Sequence, residues 1–343
     1  MKIQSEGFRF REYCIFGVIA LATMLFCVGA GSVSVSLPDT LDALYRSIFG
    51  LPLSGNMSDT IILTVRLPRV ISVALVGASL SLCGGAMQGL LRNPLADGST
   101  LGVSSGASLG AALAIAFGVV IPGIPFAGTM GMAMLFAFLS LLTILSLAYK
   151  LDYSLSTNTI VLIGIVFTMF AHSIISLIIS FAGEKVRPLL FWTMGSLSGS
   201  NYLNALTLLG ALLLFGGVIL RYGRELNAFA IGEDNARHIG VDVKRVKLVV
   251  LIAISALIGV CVSIGGTIGF VGLIMPHMTR MIVGPNHRRL LPAVLFSGAT
   301  FLMLADLLAR VIVNPLELPI GVVTSFIGSI VFVMIFYSRQ RVK

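Results

Sequence analysis

The sequence predicts an all-α, polytopic membrane protein in which residues 1–343 form a single transmembrane domain of about ten helices. The composition is the first indication, because 57% of the residues are hydrophobic and only 11% are charged. The second is a long run, 98–149, that contains no Asp, Glu, Lys or Arg. A bilayer core about 30 Å thick takes roughly 20 apolar residues per helix, so this run holds two spans. Further uncharged runs cover 153–183, 188–220, 248–279 and 318–338.

The apolar runs place the spans in chain order. The first is longer than the roughly 7–15 apolar residues of a signal peptide, so we interpret it as a retained span. The seventh and eighth are expected to be short, with Gly265-Gly266 as the break between them. The predicted spans lie near 13–33, 66–89, 100–117, 127–149, 157–181, 203–222, 246–264, 268–283, 290–310 and 319–338.

Basic residues orient these spans. Both termini are basic, and the positive-inside rule places both in the cytoplasm, which requires an even number of spans. With ten spans, 17 of the 23 Lys and Arg residues lie on the inner side. The basic charge is therefore explained by anionic inner-leaflet lipid and cytoplasmic partners, without nucleic acid.

Small residues predict how some of the spans pack. Gly102, Gly106 and Gly110 form overlapping GxxxG steps, so the third span is expected to approach its neighbours closely. Paired glycines ahead of a proline also recur in two spans of opposite direction, which indicates inverted repeats, a common transporter arrangement. These pairs are Gly84-Gly85 with Pro94 and Gly265-Gly266 with Pro276.

Patterns typical of catalysis and metal binding are missing from the sequence. No Lys follows a Gly, which excludes a Walker A loop. The four histidines have no HExxH spacing and the four cysteines no CxxC pair. We interpret His172 and His277 as packing residues and the cysteines as buried free thiols. The prediction is no catalytic residue, no metal site and no cofactor bound by this chain.

Asp306 is the only carboxylate well inside a predicted span. Arg310 follows one turn later on the same helix face, so the two charges are expected to neutralise each other. An ion-coupled secondary transporter usually has titratable carboxylates near the bilayer midplane, and this class stays open as the alternative, with Asp306 as its candidate. A membrane scaffold and a membrane enzyme are the other rivals, and the enzyme lacks a nucleophile or a metal constellation.

Arginines mark the outer side. Arg66 and Arg69 flank Pro68 at the predicted start of the second span, and Arg310 ends the ninth span. The alternative for each is snorkelling at the interface. Because a guanidinium binds a carboxylate bidentately, three arginines at helix ends favour a docking site for acidic groups of a partner. We expect their guanidinium groups to point outward.

The longest polar segment, about 223–246, is predicted to be a cytoplasmic loop with charges of alternating sign. Within it, residues 232–239 can form a short surface helix that Gly240 ends as a C-cap. A solvated loop is the simpler interpretation. A short capped helix on this side is also what a permease needs in order to rest on a motor subunit.

The chain resembles the FecCD family, the permease subunits of type II ABC importers for ferric siderophores, haem and cobalamin. The likeness extends over essentially the whole chain and is weakest at the N-terminus and in 34–60. It is carried by RLPRVISVALVGASLSLCGGAMQGLLRNPLADGSTLGVSSGASLG at 66–110, AIGEDNARHIGV at 230–241, GTIGFVGLIMPHMTRMIVGPNHRRLLP at 266–292 and ADLLARVIVNPLELPIGVVTSFIGS at 305–329.

The resemblance implies roles for three groups of residues. Arg66, Arg69 and Arg310 match positions that receive acidic groups of an extracytoplasmic substrate-binding protein. Asn93-Pro94-Leu95 matches a turn that helps close the pathway on the cytoplasmic side. The coupling helix that sits in a cleft of the ATPase subunit is matched by Gly232, Glu233, Ala236, Arg237 and Gly240.

The function predicted from this resemblance is import without bond chemistry in this chain. Two permease subunits, as a homodimer or with a close paralogue, would work with two ATPase subunits that use ATP and Mg. The expected location is the bacterial cell (inner) membrane, with both termini cytoplasmic. A ferric siderophore is the expected cargo because it is the commonest substrate class of the family, with haem and cobalamin as alternatives. The sequence offers no ligand cluster for a bare metal, which is consistent with a cargo that arrives already chelated.

Overall fold

A computed structural model describes residues 7–340 apart from 32, 34, 53–55, 123–126 and 154. The terminal basic residues Lys2, Arg341 and Lys343, on which the orientation partly rests, lie outside these residues. The helices are α1 (Phe10–Gly29), α2 (Leu37–Phe49), α3 (Met57–Leu90), α4 (Val103–Phe117), α5 (Ala127–Leu151), α6 (Thr157–Phe181), α7 (Val186–Thr193), α8 (Tyr202–Arg221), α9 (Gly223–Phe229), α10 (Glu233–His238), α11 (Val243–Gly265), α12 (Val271–Val283), α13 (His287–Val311) and α14 (Ile320–Gln340).

The helices of the described chain agree with the predicted all-α membrane fold. Seven of them are long and apolar enough to cross a membrane, namely α1, α3, α5, α6, α8, α11 and α13. The shorter apolar helices α4, α12 and α14 occupy the other three predicted positions. The expected break between the seventh and eighth spans is confirmed, because α11 ends at Gly265 and Gly266 has a φ of +68°.

Helix α3 is the centre of the bundle, with most of its side chains buried against α11, α12 and α13. Glycines let these helices approach, as a Cβ on Gly84 would overlap the Gly272 carbonyl oxygen of α12. The predicted close packing of the third span is confirmed in the same way. A Cβ on Gly106 or Gly110 of α4 would overlap atoms of α5. The backbones therefore meet directly, as small residues allow in membrane helices.

The predicted start of the second span coincides with the start of the regular α-helical segment Leu67–Leu90, which has Pro68 in its first turn. The helix is longer than predicted, because α3 continues back without a break to Met57. Residues Ile61–Arg66 form a π-helical turn just ahead of Pro68. Proline has no N–H and its ring clashes with the carbonyl four residues back, and the wider turn accommodates both effects.

The outer connection also contains a helix that the sequence analysis did not predict. Helix α2 buries Ala43 and Thr40 against the bundle and exposes Leu41, Tyr45 and Ile48. Ser36 caps its start by accepting a hydrogen bond from the Asp39 N–H at 3.2 Å. Its apolar residues are too few for a membrane span, so hydropathy does not predict this helix.

Candidate functional site

Three regions concern the predicted function: an arginine cluster at one end of the bundle, a short helix at the other end, and a cavity between them. We call the end where α1 stops and α3 starts the outer end, following the predicted orientation. The arginine cluster consists of Arg66, Arg69 and Arg310 with the carboxylates Asp306 and Glu317.

Asp306 joins two of the arginines. Its Oδ1 accepts hydrogen bonds from Nε and Nη2 of Arg69 at 3.1 and 3.0 Å, and its Oδ2 lies 3.0 Å from Nε of Arg310. Arg69 also donates from Nη1 to Glu317 Oε2 at 2.8 Å. The predicted mutual neutralisation of Asp306 and Arg310 is confirmed, with Arg69 as a further partner. Both oxygens of Asp306 therefore face a guanidinium group.

The third arginine of the cluster, Arg66, is held by backbone carbonyls at the end of α1. It donates to Val28 and Gly29 at 3.1 and 2.7 Å, and also to Val33. Arg310 adds hydrogen bonds to Cys27 and Ala30 at 3.0 and 3.2 Å. The carbonyls at a helix end have no partners within the helix and carry partial negative charge, so guanidinium groups stabilise them.

The expectation that these guanidinium groups point outward is wrong. Arg66, Arg69 and Arg310 are only 5%, 6% and 3% exposed. The physical reason is that the protein itself supplies hydrogen-bond acceptors. Backbone carbonyls and two carboxylates replace the water that exposed guanidinium groups would otherwise bind. Glu317 is the accessible member of the cluster, with 35% of its side chain exposed. The docking role stays a prediction, and it requires a rearrangement around Glu317.

The predicted coupling helix is present as α10. Gly232 precedes it with a φ of +112° and Gly240 follows it with a φ of +90°, a backbone conformation that favours glycine. The helix buries Ala236 completely, while Asp234 and Arg237 expose 87% and 53% of their side chains. Those two residues form an ion pair at 3.3 Å. The helix therefore has one face on the bundle and one face free for a partner.

Two large apolar residues frame that free face. Ile231 and Ile239, on either side of α10, are 58% and 63% exposed. Contact with an ATPase subunit stays a prediction for this surface.

The predicted gate turn lies beside the coupling helix. Asn93, Pro94 and Leu95 are all exposed, and the Asn93 side chain accepts a hydrogen bond from the Leu95 N–H at 2.9 Å. A Cβ on Gly232 would lie 3.5 Å from Nη1 of Arg92, the residue just before the turn. The side chain of Arg92, next to the gate turn, thus reaches the start of α10, although the gating role stays a prediction.

A cavity of about 570 Å³ begins two residues after this turn. Asp97 lines its inner end, and α6, α11, the segment 267–270 and α14 supply much of its wall. The polar lining consists of hydroxyl groups, one imidazole and one carboxylate: Ser104, Ser105, Thr168, Thr193, Thr267, Ser325, His172 and Asp97. None of the described residues that line it is Lys or Arg.

Two predictions about individual side chains are corrected. His172 does not pack in the interior, because it is exposed and lines the cavity. Cys14 is exposed, whereas Cys27, Cys83 and Cys261 are buried as expected. Both errors have one cause: hydropathy shows that a residue is in a span but not which side of the helix it occupies.

Two site residues, Glu317 and Lys247, were not predicted from the sequence. Glu317 lies inside the segment 305–329 but in a loop, and nothing local links it to Arg69. Lys247 borders the predicted cytoplasmic loop, yet its side chain is fully buried. Its place as the last charge before the uncharged run 248–279 was the available signal, since a charge at the edge of an apolar segment needs a partner.

The chain is similar to known transport proteins over most of its length. The model of the FecCD transport family matches residues 19–338. The ABC transporter permease protein YvrB of Bacillus subtilis is 39% identical over 99% of this chain and 97% of its own length. The cobalamin import system permease protein BtuC of Halobacterium salinarum is 37% identical over 85% of this chain and 76% of its own length.

Two further matches extend the comparison. The molybdate import system permease protein MolB of Haemophilus influenzae is 34% identical over 95% of this chain and 96% of its own length. A solved structure, an inward-facing conformation of a metal-chelate type ABC transporter, superposes with a TM-score of 0.84 and 31% identity. That superposition covers 96% of this chain and 99% of the solved one.

Proposed function

Because this chain belongs to the FecCD transport family and has the fold of an ABC importer permease, we propose that it imports a ferric chelate, most simply a ferric siderophore. The permease would act as a pair of subunits with two ATPase subunits in a bacterial cell (inner) membrane, with both termini cytoplasmic. An extracytoplasmic binding protein would deliver the chelate. ATP and Mg would be used in the ATPase subunits, and this chain would carry out no bond chemistry.

The cavity is the observation that carries this proposal. It lies in the wall of the bundle with hydroxyl groups and apolar side chains around it, and its volume is in the range of small-molecule sites. A bulky chelate encloses its metal in an organic shell, so hydroxyl groups and apolar side chains can contact the chelate without ligating the iron. Cobalamin and haem are the rival cargoes within this class.

Molybdate, the cargo named for one relative, fits this lining less well. A bare oxyanion leaves water readily only where arginines, lysines or N–H groups replace its hydration. The lining instead offers Asp97, a carboxylate that repels an anion. We therefore place molybdate below the chelates as cargo for this chain.

Co-purification tests the importer part of the proposal. Tagged permease is extracted from its native membrane in mild detergent, and the sample is examined for an ATPase subunit. The matched variant is Ile231→Glu with Ile239→Glu, which changes only the exposed frame of α10. Ala236 is unsuitable for this purpose because it is buried. An ATPase that accompanies the wild type and is lost from the variant supports the proposal, whereas none with an intact wild type refutes it.

Uptake into proteoliposomes tests the cargo. The complex is reconstituted with its binding protein and offered ferric siderophore, haem, cyanocobalamin or molybdate in turn. The expected result is ATP-dependent accumulation of the ferric siderophore. Accumulation of molybdate alone, or of cobalamin alone, would refute the cargo assignment and leave the importer assignment in place. Accumulation driven by a proton gradient without ATP would instead support the alternative function, an ion-coupled secondary transporter.

A further inference from the structure

Lys247 has an unusual environment for a lysine. Its side chain is fully buried, and Nζ donates to Glu233 Oε2 at 2.8 Å and to the Leu155 carbonyl at 3.0 Å. The second oxygen of Glu233 accepts a hydrogen bond from the Thr157 hydroxyl at 3.3 Å. We call Glu233, Lys247 and Thr157, with the Leu155 carbonyl, the Glu233 joint.

The joint connects three helices at their first turns. Glu233 is the first residue of α10, Thr157 is the first residue of α6, and Lys247 lies near the start of α11. The Leu155 carbonyl is presented by a residue with a φ of +52° that is completely buried. The loop ahead of α6 is held further by Asp152, which accepts hydrogen bonds from the Ser156 N–H and the Thr159 hydroxyl at 3.0 and 3.2 Å.

Two of these helices also line the cavity. Thr168 and His172 of α6 and Ile258 and Val262 of α11 lie in its wall. At 1.5 Å per residue, Thr168 is roughly 16 Å along α6 from Thr157, and Ile258 is roughly the same distance along α11 from Lys247. The joint is therefore about equally far from the cavity wall along α6 and along α11. A displacement of α10 at the joint would act on both helices.

Stability alone is a weak explanation for this buried charge. Replacement of a buried ion pair by apolar residues of similar volume is often neutral or stabilising. The coupling helix already has an apolar contact of its own, since Ala236 is fully buried. The ion pair makes separation of α10 from α11 costly, because moving Glu233 away would leave the Lys247 ammonium group buried without its counter-charge.

We propose that the Glu233 joint is the positioning element that transmits movement of α10 to α6 and α11, and so to the cavity. This inference rests on the proposed importer function. Lys247 and Glu233 touch neither cargo nor nucleotide in this account, and they act through the two helices. The partner of the exposed face of α10 would move the joint, and the joint would alter the cavity wall.

The test is the ratio of cargo imported to ATP hydrolysed by the full transporter in proteoliposomes. Lys247→Met is the main variant, since methionine is unbranched and fills the same space without the charge. Glu233 keeps 20% of its side chain exposed, so it can be hydrated when Lys247 is replaced. Lys247→Arg retains a cationic donor and is expected to restore most of the ratio.

Arg289→Met is the matched control. Arg289 pairs with Glu12 at the same end of the bundle, joining α13 to α1, and the two side chains are 15% and 22% exposed. This control also removes a cation and leaves a partly exposed glutamate. It does not involve α10, and we expect its import per ATP to match the wild type.

For Lys247→Met, the ATPase subunits should still co-purify while import per ATP falls about tenfold, within the usual range of coupling between sites. The double variant Glu233→Gln with Lys247→Met, which leaves no unpaired charge, should behave in the same way. An unchanged ratio of import to ATP hydrolysis in both variants would overturn the inference. A proportional fall of import and ATP hydrolysis in both would do so too, as would loss of the ATPase subunits from both. A wild type without ATPase would instead refute the proposed function itself.

Discussion

Asp306→Asn is the substitution that most directly tests the arginine cluster. Within the cluster, two carboxylates face the buried guanidiniums of Arg69 and Arg310, and Asp306 is 1% exposed. Asparagine has the same shape and keeps one acceptor oxygen, but it leaves Glu317 as the only carboxylate for both cations. Breaking a buried pair by removing one partner costs about 3–5 kcal/mol. That cost changes the folding equilibrium constant by roughly two to four orders of magnitude.

The assay is thermal unfolding of the purified protein in detergent, followed by the fraction that stays monodisperse after heating. Asp42→Asn is the control, because Asp42 and Arg46 form a pair at 2.7 Å whose side chains are 47% and 36% exposed. Exposed pairs contribute about 0–1 kcal/mol, so the control should unfold close to the wild type. Equal shifts for the two variants would show that the cluster is not the stabilising network described above.

A double variant makes this prediction sharper. Arg310→Met combined with Asp306→Asn removes one positive and one negative charge, so the remaining Arg69 and Glu317 balance each other. We expect the double variant to be less destabilised than the sum of the two single variants, since the residues are in direct contact. Additive losses would contradict the ion-pair assignment between Asp306 and Arg310.

Two further predictions concern docking and packing. Glu317→Gln should free Arg69 for an incoming carboxylate and tighten binding of the substrate-binding protein by up to about fivefold, which corresponds to about 1 kcal/mol. Binding of the substrate-binding protein to the reconstituted transporter on a sensor surface checks this. Weaker or unchanged binding would contradict the idea that an incoming carboxylate replaces Glu317 at Arg69. Gly84→Ala should destabilise the bundle by about 1–3 kcal/mol, because its methyl group would overlap the Gly272 backbone. Gly131→Ala, where a Cβ meets nothing within 4 Å, should show no loss in the same melting experiment.

Much of the fold could be predicted from the sequence. Helices occur close to all ten places where the apolar runs put the spans, and the break at Gly265-Gly266 is present. The seventh span is not short as expected, since α11 has 23 residues. Hydropathy reports the transfer of a whole segment into lipid, which depends on composition and not on partners. The inverted repeats and the orientation of the termini remain predictions.

Prediction was less successful for charged residues in or near the spans. Arg66 and Arg69 were recognised as a pair at one end of a span, yet their burial depends on carbonyls from α1 and on Asp306, more than two hundred residues away. Local sequence carries no information on such distant acceptors. The partner of Lys247, Glu233, is only 14 residues earlier on α10, yet the pairing of the two side chains depends on how α10 packs against α11.

The membrane class, the places of the spans and the short capped helix at 232–240 follow from the sequence, because each depends on local chemistry: apolar transfer, helix length and glycine at positive φ. The side of each helix that faces the cavity, the enclosure of the arginines and the Glu233 joint were decided by tertiary packing. Every one of these features arises where distant segments meet, and a buried charge is stable only where those segments bring its partners together.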